Sequence, residues 1–233
     1  MLVGHHAAAY AAKRIAPRVS LGMLLAASLF PDILVSVDQL AGIEHARSTP
    51  GITAFSSLDA FDVAISHSLA TAIIWSVLAG LAYFWWRREK RGSAVVGAAV
   101  FSHWVFDFAS HHPELPLAPG VHQFVGLGLW NSIPMTFLIE GALWVGGIVI
   151  YVRATRATSR GGMLGLIPLI GVPTVAWIRT PFIVSTEGDF TASLLIPLLA
   201  VQGGLCVLAT WVDRRRSTGI ECPPTTGGDV VLN

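Results

Sequence analysis

Ser102-His103-Trp104-Val105-Phe106-Asp107-Phe108-Ala109-Ser110-His111-His112-Pro113 is the stretch on which the fold turns. It closes an apolar run that begins near Ser93, and it sets an imidazole and a carboxylate four residues apart. On a helix, residues i and i+4 lie one above the other on the same face. A charged group at the centre of a membrane helix costs about 2.5–3.5 kcal/mol on insertion scales, so such side chains persist where something compensates their burial. A bound metal is the leading compensation. A His–Asp hydrogen bond tying the helix to itself is the other.

The surrounding composition places this run in a membrane. Of 233 residues, 53% are hydrophobic and only 12% charged, against about 25% charged in soluble domains; mean hydropathy is +0.64. A formal net charge of +1 supplies no basic face for nucleic acid. Two cysteines, Cys206 and Cys222, cannot form a disulfide framework. The start, Met1-Leu2-Val3-Gly4-His5-His6, has neither the basic region nor the apolar centre of a secretory signal.

Five apolar stretches are clear: Val63–Trp86, Ser93–Ser110, Pro134–Val152, Met163–Val184 and Phe190–Val212. A sixth, Val19–Leu40, carries Pro31 and Asp32 in its middle. Each approaches the ~20 residues that a ~30 Å hydrocarbon layer requires. Ser93–Ser110 is the shortest, as expected of a helix packed against partners rather than lipid. The fifth span holds Pro168, Pro173 and Pro181 and is expected to kink. Residues 4–16 read as a helix too short to cross. The expected fold is an all-α, polytopic transmembrane bundle of about six spans forming one domain over residues 1–216. Residues 217–233, rich in Pro, Gly and Thr, read as a disordered tail.

Basic residues fall at alternate ends of the spans: Lys13, Arg14 and Arg18; Arg87, Arg88, Lys90 and Arg91; Arg153, Arg156 and Arg160; Arg214, Arg215 and Arg216. Six spans bring all four clusters to one side, which the positive-inside rule makes cytoplasmic together with both termini. The chain is thus expected to be a multi-pass protein of the inner (plasma) membrane. The loops near 41–62, 111–133 and 185–189 then face outward, and His67, His103, Asp107, His111 and His112 lie toward the outer leaflet. His5 and His6 begin on the inner side by this rule, so either joins them only if the first helix is buried or re-entrant.

Other polar residues in or beside the apolar segments are Asp32 and Glu140. Imidazole and carboxylate ligands suit zinc first, with manganese or iron as alternatives; an open position on such an ion activates water for attack on phosphoryl or acyl centres. Asp32 beside Pro31 also fits a residue that satisfies a broken helix. Glu140 fits a proton relay, a partner for Asn131 or Arg179, or an orienting residue behind the ligands. His45 and His122 read as ordinary loop residues.

Taken in order, Gly4-His5, Leu29-Phe30-Pro31-Asp32, Ser66-His67-Ser68 and Ser102-His103 with Asp107 resemble the YdjM-like family of bacterial membrane-bound metal-dependent hydrolases, whose helical core is similar to zinc-dependent phospholipase C and single-strand nucleases. Ser110-His111-His112-Pro113-Glu114-Leu115-Pro116-Leu117 and Gly126-Leu127-Gly128-Leu129-Trp130-Asn131-Ser132 resemble a subgroup of it. The resemblance covers residues 4–140 and implies His5, Asp32, His67, His103 and Asp107 as metal ligands, with His111 as a further one. One departure is clear: a second acid usually follows the Pro-Asp element by two residues, and Leu34 stands there. Asp38 or Glu44 are the nearby acids that would substitute.

The function expected from these readings is hydrolysis of a lipid or lipid-linked phosphoester near the outer leaflet, with Asp32 or Glu140 as general base. The alternative is a metal- or proton-coupled transporter or a non-catalytic membrane scaffold. An outward dead-end pocket favours the first, and a path across the bilayer favours the second.

Overall fold

A computed structural model describes residues 1–218; the tail expected to be disordered lies, from residue 219 on, outside the described residues. The chain is mostly helical. In order it forms α1 (Leu2–Ile15), α2 (Leu21–Ser28), α3 (Phe30–Leu40), β1 (His45–Ser48), β2 (Leu58–Asp62), α4 (Ala64–His67), α5 (Leu69–Arg87) and α6 (Lys90–Ser110). The short strands β3 (Leu115–Pro116) and β4 (Phe124–Val125) lead into α7 (Ile133–Ala154). The remainder is β5 (Arg156–Ala157), α8 (Arg160–Leu164), α9 (Leu166–Arg179), β6 (Gly188–Asp189), α10 (Ala192–Asp213) and β7 (Arg216–Ser217).

Five of these segments are long and apolar enough to cross a membrane, and the pair α2–α3 makes a sixth if its 56° bend is allowed. Pro31 in the first turn of α3 explains where the bend falls, because a ring without an N–H is best accommodated in the first turn, where that N–H would have no intrahelical partner. The second expected span is also broken. Ser68 ends α4 and caps α5 by accepting the Thr71 N–H at 3.3 Å, a serine role that starts a new helix. Arg160–Phe182 qualifies as one span despite its prolines, with Pro173 inside α9 and Pro181 in the terminal turn.

The expectation that the third span is the shortest is corrected. With 21 residues α6 is longer than α5, at 19. What distinguishes α6 is burial: 44% of its apolar window is covered, against 11–28% in the other four. Ile73, Ile74 and Val77 of α5 or Val145 and Val149 of α7 are instead exposed, as lipid-facing side chains are.

The short first helix sits inside the bundle, against α7, α2 and α6. Val3, Ala7 and Tyr10 are buried in the main core, and Gly147 lets the α7 backbone approach that of Ala7 where a side chain would collide. At the far end of α1, Lys13 Nζ donates to Asp213 Oδ2 (2.6 Å) and to the Val19 carbonyl (2.9 Å), while the Leu21 N–H reaches the same carboxylate at 3.1 Å. One buried ion pair thereby joins the ends of α1 and α10 to the start of α2.

Loops segregate to two ends of the bundle. At one end β2, β1 and β6 form an antiparallel sheet, and β3 pairs with β4. At the other, β5 pairs with β7, which brings the basic segments after α7 and α10 together.

Candidate metal centre

The carboxylate of Asp107 is the hub of the non-basic end. Its Oδ2 lies 3.0 Å from His103 Nε2 and 3.6 Å from His67 Nε2. Its Oδ1 lies 3.1 Å from His5 Nε2 and 3.8 Å from His111 Nε2. Asp32 Oδ1 completes the ring at 3.6 Å from His103 Nε2 and 3.8 Å from His67 Nε2. Two triads, His5–His103–Asp107 and Asp32–His67–His103, each offer ligand atoms within 4.8 Å of one another. All six residues expected as ligands converge, from α1, α3, α4, α6 and the turn after α6.

Each histidine reaches the cluster for a local reason. Ser28 is the last residue of α2, where carbonyls lack an intrahelical partner, and its oxygen accepts the His103 Nδ1–H at 2.7 Å. His67 ends the single-turn α4, whose first N–H groups, Ile65 and Ser66, donate to Glu44 Oε1 at 2.7 and 3.0 Å. Ser66 Oγ then fixes His67 Nδ1 at 2.7 Å. His111 Nδ1 is held by Glu114 Oε1 at 2.6 Å, and Glu114 Oε2 accepts the Ala60 N–H at 2.8 Å. His5 stacks on His103 with ring centroids 3.7 Å apart. Gripping Nδ1 from behind leaves Nε2 of three rings facing the centre, the arrangement by which outer residues orient imidazole ligands.

The electrostatics of this arrangement call for a cation. With its Nδ1 proton committed to Ser28, a neutral His103 presents an Nε2 lone pair to Asp107 and Asp32. That nitrogen is fully buried, 3.0 Å from Asp107 Oδ2 and 3.6 Å from Asp32 Oδ1. A lone pair facing carboxylate oxygens in a dry site is repulsive unless a positive charge stands between them. Two acids and several imidazoles therefore fit a divalent ion. The amino group of Met1 lies against Asp107, 2.9 Å from Ser110 Oγ and 3.1 Å from His5 Nε2.

Of the roles open to Glu140, its contacts fit the orienting one. It is fully buried, Oε2 accepts the N–H groups of Leu2 and Val3 (3.0 and 3.2 Å), and Oε1 accepts the Trp130 indole N–H at 2.9 Å. Both oxygens are committed, Oε2 to the start of α1 and Oε1 to Trp130, so Glu140 positions the helix that carries His5. Neither Asn131 nor Arg179 is its partner. Asp38 and Glu44 do not replace the acid missing at Leu34: neither belongs to a ligand group among the described residues, and Glu44 caps α4. His6 faces Trp144 rather than the cluster. His45 is a surface residue paired with Asp62 at 3.0 Å.

A cavity of about 280 Å³ opens onto the cluster. Its polar floor is His5, Asp32, His67, Asp107 and His111; apolar walls come from β1–β2, Phe190 and Leu194, Leu195 and Leu198 of α10. The last span, silent in the sequence reading, thus supplies a wall and one polar group, Gln202, whose buried Oε1 has no partner. Gln202 stands out as an amide in an otherwise apolar run; Ser28 carries no such signal, and Ser66 and Glu114 stand only as neighbours of His67 and His111 in the motifs.

The segment resembling a family subgroup also has a structural purpose. The Leu127 and Gly128 N–H groups donate to the Phe108 and His111 carbonyls, both at 2.7 Å. A side chain at Gly126 would strike the backbone oxygens of His111 and His112, so the strand-like return past the ligand turn requires glycine there. Comparison with known protein families, curated proteins and solved structures returns no match for the chain.

Proposed function

We propose that this chain is a membrane-embedded, metal-dependent hydrolase of the kind the YdjM-like resemblance implies, acting on a lipid or lipid-linked phosphoester. The observation that carries the reading is the convergence of His5, His67, His103, His111, Asp32 and Asp107 at the floor of an apolar-walled cavity. Zinc is the ion best suited to the donor set, with manganese or iron next. When bound, such an ion polarises a phosphoryl or carbonyl oxygen and makes water a better nucleophile near neutral pH.

The chain's own residues divide the remaining work. Asp107, buried beneath four imidazoles, anchors the ligands. Asp32, with 35% of its side chain exposed and facing the cavity, is the carboxylate placed to take or return a proton at the substrate. Leu194, Leu195 and Leu198 exclude water and suit an alkyl chain, and Gln202 offers an amide to a polar headgroup. By the charge rule the cavity, and with it the Met1 end of α1, lies in the outer leaflet of the inner (plasma) membrane, with the basic loops and the end of α10 cytoplasmic; of the two termini expected on the cytoplasmic side, this arrangement keeps only the carboxyl-terminal one there.

The transport alternative is disfavoured by what lies beyond the cluster. Val3, Ala7, Tyr10, Leu24 and Val100 pack there as buried core, and the Lys13–Asp213 pair closes the opposite end. A dead-end cavity fits a reaction on a substrate that enters and leaves by one mouth. Purified protein in lipid vesicles, given long-chain phosphatidate and a water-soluble short-chain phosphomonoester, tests this. Release of phosphate or headgroup from the long-chain substrate, lost in Asp32→Asn and on chelation, is expected. A fully metallated protein that cleaves neither and instead passes ions across the vesicle wall would reverse the assignment.

A further inference from the structure

A second site lies at the opposite end of the bundle. Arg18, Arg87 and Arg214 come from three separate segments, the α1–α2 turn and the ends of α5 and α10, yet line one hollow of about 480 Å³. All three are exposed. Among the described residues, no carboxylate lies within ion-pair distance of any of them; nearby Asp213 faces inward to Lys13.

The hollow does not end at the arginines. Met23, Ala26, Tyr83 and Trp86 also border an adjoining, mainly apolar groove of about 300 Å³ that follows α2 as far as Phe30. α2 (Leu21–Ser28) rises about 12 Å along this path, within one half of the ~30 Å hydrocarbon layer. Trp85 and Trp86, 67% and 65% exposed, stand beside Arg87 and mark headgroup depth, where indoles collect. Three cations at that depth above an apolar trough along α2 are complementary to a single molecule: an anionic head with an alkyl chain.

We infer that this groove binds one anionic phospholipid from the leaflet on the basic face, its phosphate among Arg18, Arg87 and Arg214 and an acyl chain along Met23, Ala26 and Phe30. Guanidinium groups suit the role through their planar, multi-donor match to phosphate. The site is separate from the metal cluster and stands whether or not the chain is a hydrolase.

Lipid retention by the full-length protein tests it. Protein exchanged into equimolar phosphatidylglycerol and phosphatidylcholine, then analysed by native mass spectrometry, is expected to retain phosphatidylglycerol preferentially. Each of Arg18→Gln, Arg87→Gln and Arg214→Gln is expected to lower that preference roughly fivefold. Ala26→Phe, which fills the trough, should release the bound lipid while the metal content of the distant cluster is unchanged. Inorganic phosphate at millimolar concentration should not compete. Equal retention of both lipids by wild type, an undiminished preference in all three arginine variants, or displacement by inorganic phosphate each overturns the assignment.

Discussion

His103 Nδ1 lies 2.7 Å from the carbonyl oxygen of Ser28, a bond that exists because α2 stops there. A continuous helix through Ser28 would commit that oxygen to its own ladder. The break at Leu29 therefore does two things at once: it frees an acceptor that sets the His103 tautomer, and it starts a new helix carrying Asp32 toward the same ring. The proline that compromises a membrane span is thereby part of the site's construction.

Metal retention follows from that geometry. His103→Ala and Asp107→Ala should each lose bound metal at least tenfold by elemental mass spectrometry of purified protein, while His6→Ala, one residue from a ligand but facing Trp144, should keep it. Full occupancy in both cluster variants would falsify the metal assignment.

Glu140 distinguishes positioning from catalysis. Glu140→Gln replaces one acceptor for α1 by an amide donor, so His5 loosens, and outer residues of this kind typically govern affinity by about 10–100-fold. The expected result is weaker metal binding measured by competition with a chelator. Unchanged affinity with lost turnover would instead make Glu140 a proton carrier.

His111 and Glu114 should behave as one unit. Glu114→Gln and His111→Ala are each expected to weaken metal binding, and the double variant to add little to the larger single effect, because coupled residues are non-additive. Strict additivity in the chelator titration would mean that the pair acts separately.

The Lys13–Asp213 pair is a stability test remote from the metal. Removing one partner of a buried pair costs about 3–5 kcal/mol, so Lys13→Met should lower the midpoint of thermal unfolding in detergent by several degrees. Lys13→Met combined with Asp213→Leu should recover part of the loss, since no charge is then stranded. A single variant as stable as wild type would show the pair to be solvated in the membrane-bound protein.

Gly126→Ala places a methyl against two backbone oxygens of the ligand turn. Overpacking of this sort costs about 1–3 kcal/mol, and here the strain falls on His111. Reduced stability accompanied by reduced metal affinity is expected; Gly146→Ala, where nothing lies within 4 Å, should change neither.

Much of this molecule was legible in a linear reading because its causes are local. Apolar runs of membrane length identify helices one at a time, and the i,i+4 spacing of His103 and Asp107 puts both on one face without reference to anything else. Pro31 announced the break in the first span, and Ser68 in Ser66-His67-Ser68 contained the second, which passed unseen because a capping serine resembles any other serine in a greasy segment. The six ligand candidates are individually visible as polar residues in or beside the apolar segments.

Their supports were not. Ser28, Glu44, Ser66 and Glu114 acquire their roles from what happens to lie across a helix interface, and a backbone carbonyl such as that of Ser28 has no sequence signature at all; for Glu140 the orienting role was one of three that the sequence left open. Whether His5 joined the site depended on α1 being swallowed by the bundle, which rests on packing against α7 and on Glu140 holding its first turn. The wall formed by α10 likewise required chain segments some ninety positions from the ligand motif to fold beside it. By itself, then, the sequence determined the helices, the two-sided distribution of charge and the identity of the cation-seeking side chains, since hydrophobicity and helical periodicity act within a segment. Tertiary structure alone decided which of those side chains meet, which acid is committed to holding α1, and where a groove of arginines opens. Each of these depends on distances between segments that only the packed chain defines.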